Sequence, residues 1–169
     1  MASFNVLNYF TTLDGGSEKC GPSKTLDCRG ADANQANEFE RQRTKIVEAL
    51  KALDADIVGL IEIENHATDA AVIDLVAELN SEMGAGTYSH VATGPIGGDA
   101  IKVALIYKPA NVEESATFQV LTSSVDARFI DDKNRPALAQ TFREKATGEE
   151  LTVAVNHLKS KGSSCASLN

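Results

Sequence analysis

Two glutamates stand within one of the most apolar segments of the chain. Glu62 and Glu64 belong to Ile-Val-Gly-Leu-Ile-Glu-Ile-Glu at residues 57–64, which is apolar on both faces and typical of a central, covered strand. Because alternate strand residues share a face, Glu62 is expected beside Val58 and Leu60. An ionised carboxylate buried there must be paired, protonated or bound to a cation.

The two carboxylates together would suit a hard cation such as Mg²⁺, which prefers oxygen ligands and keeps several waters. The alternative for Glu62 is an ion pair with a lysine or arginine. For Glu64 we expect a solvent-exposed position at the end of the strand.

His157 ends an alternating strand at residues 151–158, where the inward position changes from aliphatic to imidazole beside Asn156. A histidine that titrates near neutral pH can protonate a leaving oxygen or polarise a phosphate. A lone strand histidine is more often structural, so both interpretations stay open.

Basic residues lie near this histidine in the sequence. Lys159 and Lys161 follow it closely, and Arg135 precedes Pro136 at the entrance to the neighbouring predicted strand. Together they would form a phosphate-binding cluster. The alternative is that they are solvated loop charges.

Two asparagines fall within the first predicted strand, although asparagine is depleted in strands. Asn5 and Asn8 both need hydrogen-bonding partners there. For Asn5, a structural hydrogen bond at the strand end and a catalytic role are both open.

These residues must be positioned by an alternation of strands and helices. The patterns predict strands at 3–10, 57–64, 88–92, 101–107, 117–121, 138–142 and 151–158, and helices at 38–53 and 69–82. The first strand, first helix and second strand would form a parallel βαβ unit. The turn Lys-Ala-Thr-Gly at 145–148 favours an antiparallel hairpin, so the sheet should be mixed.

The composition fits one globular domain, with 169 residues, 43% hydrophobic and 24% charged. No apolar run approaches the roughly 20 residues that cross a bilayer, and no signal-peptide pattern is present. The net charge of −8 argues against a broad basic surface, so a nucleic-acid substrate would need a metal or a local basic cluster. P-loop, cysteine-rich zinc and Gly-x-Ser-x-Gly patterns are also lacking.

The three cysteines of the chain indicate its redox compartment and whether a pairing partner lies beyond residue 169. Cys20 and Cys28 lie in a turn-rich loop and are interpreted as a small disulfide, the alternative being two thiols in a reducing compartment. Cys165 is left over, which indicates a free thiol or a partner beyond residue 169. The chain also stops in a loop after its last strand, so we expect a missing layer and an exposed apolar sheet face.

Several of these segments, taken in order, resemble the endonuclease/exonuclease/phosphatase family, which includes deoxyribonuclease I. The resemblance rests on Ser-Phe-Asn-Val at 3–6, Ala-Asp-Ile-Val-Gly-Leu-Ile-Glu at 55–62, Val-Ala-Leu-Ile-Tyr-Lys-Pro at 103–109, Arg-Pro at 135–136 and Val-Asn-His-Leu-Lys-Ser at 155–160. Within the family the chain looks most similar to bacterial extracellular nucleases, which also share the cysteine loop and Gly-Gly-Asp-Ala-Ile-Lys at 97–102.

The resemblance implies an α/β sandwich of the deoxyribonuclease I-like type, with a mixed sheet flanked by helices. Residues 1–169 would form the N-terminal half of one four-layer domain. The family also has a Gly-Asp-x-Asn and a Ser-Asp-His segment that activate water, and neither occurs in this sequence.

The resemblance also implies roles for individual residues. Asn5 would orient the phosphate or a metal-bound water, Glu62 would bind Mg²⁺ or Mn²⁺, and His157 would act at the scissile phosphate. Tyr107 would line the same site, and Asp99 would be a partner of the histidine or would contact a neighbouring residue of the site. Phosphate or substrate binding is expected of a further set, namely Arg135, Asn156, Lys159 and Asn8. Ca²⁺ in a structural role is a further expectation.

The expected function is divalent-metal-dependent hydrolysis of phosphodiesters in nucleic acid, with DNA favoured over RNA. One alternative is another phosphoesterase of the family, similar to sphingomyelinases or inositol-phosphate phosphatases. Another is an inactive fold fragment that self-associates through its exposed sheet face. A secreted or periplasmic location without a membrane partner is expected.

Overall fold

A computed structural model describes residues 1–162 as two four-stranded sheets, two helices and a small two-stranded hairpin. The elements in chain order are β1 (Ala2–Tyr9), β2 (Lys19–Cys20), β3 (Leu26–Asp27), α1 (Glu38–Leu53), β4 (Ile57–Glu64), α2 (Ala70–Met83), β5 (Ser89–His90), β6 (Ile101–Tyr107), β7 (Val112–Glu114), β8 (Gln119–Leu121), β9 (Arg135–Glu144) and β10 (Glu150–His157). Neither helix is both long and apolar enough to span a membrane.

The first sheet has the order β1-β4-β6-β5, and both helices cover one of its faces. β1 and β4 are parallel, and α1 connects them as the predicted βαβ unit. The helices bury their apolar stripes against the sheet, because buried residues recur at helical spacing in each, namely Ile46 and Leu50 in α1 and Leu75 and Leu79 in α2.

The second sheet has the order β10-β9-β7, with β8 also paired to β9. It packs on the other face of the first sheet through an apolar layer that includes Leu105, Leu138 and Phe142. Gly59 permits this packing, because a Cβ there would meet Val155 Cγ2 at 2.8 Å. The β9–β10 hairpin is antiparallel, as predicted.

The predicted mixed α/β sandwich is confirmed, with one difference in its layers. We expected one sheet with an exposed apolar face, but the strands after residue 107 form a second sheet that covers this face. The reason is that apolar residues of β9 and β10, such as Leu138, Phe142 and Val155, point into the layer between the two sheets. Self-association stays a prediction, although the face on which it rested is buried.

The loop after β1 is closed by the predicted disulfide between Cys20 and Cys28. Both cysteines are buried and pack with Phe10, Ala100 and Ile101. The β2–β3 hairpin is therefore attached to the start of β6. Cys165 lies outside the described residues.

Candidate active site

Three neighbouring strands are distorted at the same end of the sandwich. β1 is irregular where Leu7 and Asn8 have φ values of 54° and 53°, and β4 bulges at Glu62, whose φ is 67°. β10 loses its regular register just before His157. Left-handed backbone is uncommon for residues other than glycine and tends to cluster at functional sites.

The bulge decides where Glu62 points. We expected it on the face of Val58 and Leu60, but an extra residue in β4 shifts the alternation, so Ile63 joins that face instead. Glu62 consequently lies with Ile61 on the face toward the second sheet, and the expected placement is wrong.

Glu62 and His157 meet across the two sheets. Glu62 Oε1 lies 3.6 Å from His157 Nε2, and the side chains are 21% and 19% exposed. This distance exceeds that of a hydrogen bond, and the contact becomes an ion pair only when His157 is protonated. Within residues 1–162, no lysine or arginine lies at salt-bridge distance from Glu62, which excludes the alternative pairing for the described chain.

The environment of His157 favours its neutral form. Burial and the neighbouring Arg135 guanidinium lower the pKa of His157 below 6.5, and Glu62 and Asp99 only partly oppose them. His157 Nδ1 is buried without a hydrogen-bond partner among the described residues. A neutral imidazole can accept a proton at a reacting oxygen.

Arg135 lies opposite His157 in the β9–β10 ladder. Its Nε donates to Asp99 Oδ2 at 2.7 Å, and Arg29 Nη2 donates to Asp99 Oδ1 at 2.9 Å. Asp99 therefore does not pair directly with the histidine, whereas the alternative, contact with a neighbouring residue of the site, agrees with its ion pair to Arg135. Asp99 acts on His157 through its charge.

Asn65 holds the 96–99 loop in place and was missed by the sequence reasoning. It is fully buried directly after β4, and its Nδ2 donates to the carbonyl oxygens of Ile96 at 2.8 Å and Asp99 at 2.9 Å. Its Oδ1 accepts from the Ile96 amide at 3.0 Å. The only signal in the sequence was a polar residue next to an apolar strand.

Glu64 was expected to be solvent-exposed, but it is buried, with 2% of its surface exposed. Its Oε2 accepts from the Thr11 amide at 2.8 Å, the Thr11 hydroxyl at 3.0 Å and the Thr12 amide at 3.1 Å. The loop after β1 folds over the end of β4 and supplies these donors. Glu64 is thus occupied in holding the loop.

The asparagines of β1 take different positions. Asn5 is exposed and pairs with Ile61, one residue before the bulge of β4. Its Oδ1 accepts from the Leu7 amide at 2.8 Å, so it makes the structural hydrogen bond and also lies next to the Glu62 strand. Asn8 faces α1, where Gln42 Nε2 contacts its carbonyl oxygen at 3.5 Å.

Three of the expected site residues lie apart from the Glu62–His157 pair or have other contacts. Tyr107 pairs with Ile57 at the opposite end of β4, because β6 runs antiparallel, and its hydroxyl donates to Glu114 at 2.9 Å. Its expected place in the site is therefore wrong. Asn156 is exposed on the opposite side of β10 from Val155. Lys159 uses its backbone amide to bind Asn134 Oδ1 at 2.9 Å.

The fit of a divalent cation depends on Glu62. Residues 1–162 contain no group of three or more histidine, cysteine, aspartate or glutamate side chains arranged around one metal position. Among the residues described, Glu62 nevertheless offers a carboxylate whose ion-pairing neighbour is His157, and the lowered pKa of His157 favours its neutral form. A magnesium ion with one protein carboxylate, waters and phosphate oxygens fits this arrangement.

No protein-family model matches the sequence, and neither does any curated protein sequence. Solved structures do match. One is an endonuclease/exonuclease/phosphatase family protein from Bacteroides thetaiotaomicron, with 17% identity, a TM-score of 0.53 and coverage of 79% of this chain and 48% of that one. Another is the catalytic domain of human Nocturnin, with 21% identity, a TM-score of 0.51 and coverage of 73% and 44%.

A mannosyl-6-phosphatase from Bacteroides thetaiotaomicron is similar at 17% identity and a TM-score of 0.50, with coverage of 77% of this chain and 50% of that one. The chain thus spans about half the length of each of these structures. The sandwich with its helix-covered sheet therefore has the fold of the endonuclease/exonuclease/phosphatase family.

Proposed function

We propose that this chain belongs to a divalent-cation-dependent hydrolase of phosphodiesters in nucleic acid. The observation that carries the proposal is the half-buried Glu62 carboxylate 3.6 Å from His157 Nε2, with Arg135 opposite the histidine. A carboxylate, a neutral imidazole and a guanidinium suit cation binding, proton transfer and phosphate binding respectively. The similarity in fold to an endonuclease/exonuclease/phosphatase family protein and to a mannosyl-6-phosphatase supports chemistry at phosphate esters.

Each residue has a role that follows from its contacts. Glu62 supplies an oxygen ligand for Mg²⁺ or Mn²⁺, and such a cation polarises a phosphoryl oxygen when bound. His157 exchanges a proton at Nε2, and Arg135, held by Asp99, provides positive charge for the phosphate. Asn5 lies on the adjacent strand, where its amide can orient the substrate.

The constellation in this chain is partial. Water activation is assigned by the resemblance to Gly-Asp-x-Asn and Ser-Asp-His segments, which the sequence does not contain. We therefore propose that Glu62 and His157 work with groups from another segment, and that this chain alone cleaves DNA slowly. Because the choice of substrate within one fold depends on loops, the activity test below compares DNA with another phosphate ester.

The disulfide between Cys20 and Cys28 supports an oxidising compartment. We propose a secreted or periplasmic location on this ground.

The first test is Mn²⁺ binding by calorimetry, which does not depend on activity. Glu62→Gln should weaken binding about tenfold or more, because it removes a charged ligand. Glu149→Gln is the matched control, since Glu149 is exposed in the turn before β10. Equal affinity in wild type and Glu62→Gln would exclude Glu62 as a metal ligand.

The second test is plasmid nicking in Mg²⁺ and in chelator, beside hydrolysis of a sugar phosphate. We expect slow, Mg²⁺-dependent nicking that Glu62→Gln and His157→Ala both abolish. Nicking that persists in chelator, or a preference for the sugar phosphate, would contradict the proposed nuclease.

A further inference from the structure

A groove lined by three basic residues lies between β1 and the first half of α1. Its volume is about 420 Å³, and its lining includes Leu7 and Asn8 of β1, Arg41 and Lys45 of α1, and Arg29 of the loop after β3. None of its three basic residues was expected to bind substrate.

The charge of this groove is opposite to that of the chain. The chain carries a net charge of −8, yet the groove brings together three cationic side chains. Arg41 and Lys45 are exposed and have no carboxylate partner among residues 1–162, since Arg41 donates only to the Ala36 carbonyl oxygen at 3.2 Å. Glu38 is the one acidic residue of the lining, and its carboxylate accepts a hydrogen bond from the Asp32 amide at 2.7 Å. The groove therefore has positive charge available for an anion.

The groove is linked to the candidate active site through ion pairs. Arg29 binds one oxygen of Asp99, and the other oxygen binds Arg135, which lies opposite His157. The irregular segment of β1 that forms one wall also neighbours the β4 bulge, because the two strands are paired. Arg135 and Arg29, joined by Asp99, thus connect the surroundings of His157 to the groove that Arg41 and Lys45 line.

We propose that this groove binds the phosphate backbone of a nucleic-acid strand next to the phosphodiester held at Glu62 and His157. Arg41 and Lys45 are its phosphate contacts, since arginine binds phosphate bidentately and lysine as a point charge. The inference rests on the proposed function and specifies its substrate as a polymer. A small phosphate ester would reach Glu62 without filling the groove, whereas a nucleic acid has a further phosphate at every nucleotide.

The experiment measures binding of a labelled DNA duplex by fluorescence anisotropy in chelator, over a range of salt concentrations. The test variant is Arg41→Gln with Lys45→Gln. The matched control is Arg143→Gln with Lys145→Gln, which removes two charges at the far end of β9 and its turn. Both pairs are exposed, so we expect all variants to fold.

The groove variant should raise Kd at least about tenfold near 0.1 M salt and lower the slope of log affinity against log salt by about 2. The control should stay close to wild type. Wild-type affinity and slope in the groove variant would overturn the proposal, as would equal weakening in the control or a lack of binding by the wild type. Because binding is measured without hydrolysis, failure of the proposed function would appear separately, as binding without Mg²⁺-dependent cleavage.

Discussion

Replacement of Asn65 by alanine tests whether this residue holds the 96–99 loop. The change removes three hydrogen bonds of 2.8, 2.9 and 3.0 Å and leaves two carbonyl oxygens and one amide of the loop without their partner. At about 1 kcal/mol of net stabilisation for each bond, the free energy of unfolding should fall by about 3 kcal/mol. For a chain of this length, that loss lowers Tm by about 6–12 °C.

Urea denaturation, followed by circular dichroism, measures this loss from the midpoint and slope of the transition. Asn156→Ala is the control, because Asn156 is exposed and its amide makes only a 3.5 Å contact, and it should change stability by less than about 0.5 kcal/mol. Asn65→Asp keeps the acceptor but not the two donated bonds, so it should not restore stability. A loss below about 1 kcal/mol in Asn65→Ala would refute the reasoning.

Two further predictions concern the candidate site and the packing of the sheets. By NMR titration, the pKa of His157 should lie below 6.5 and should rise in Arg135→Gln, and an unchanged or lower pKa in this variant would contradict the assigned cause. Because the pKa of His157 is lower in the folded than in the unfolded state, the free energy of unfolding should decrease as the pH falls below 6.5. Gly59→Ala should lower the free energy of unfolding by about 1–3 kcal/mol, because the new Cβ would meet Val155 at 2.8 Å. Gly98→Ala, with nothing within 4 Å, is its control, and equal stability of these two variants would contradict the close packing.

The sequence alone determined the elements whose pattern is local. Helix α1 and strands β4 and β6 have the predicted bounds, because helical spacing and continuous apolar runs depend only on neighbouring residues. The short strand β7 was missed, since three residues carry too little pattern.

The sequence also indicated part of the candidate site. Glu62, His157 and Arg135 were expected together and do lie together, because Arg135 begins β9, His157 ends β10, and Glu62 lies near the end of β4 that faces them. Their roles in catalysis stay predictions. The pairing of Cys20 with Cys28 was likewise expected from the loop that contains them.

Tertiary structure decided the rest. The bulge that turns Glu62 toward His157 arises from pairing with β6, and no glycine marks it in the sequence. The antiparallel direction of β6 places Tyr107 at the far end, and the loop after β1 buries Glu64. These outcomes depend on strands and loops distant along the chain, whose hydrogen bonds a local pattern does not encode.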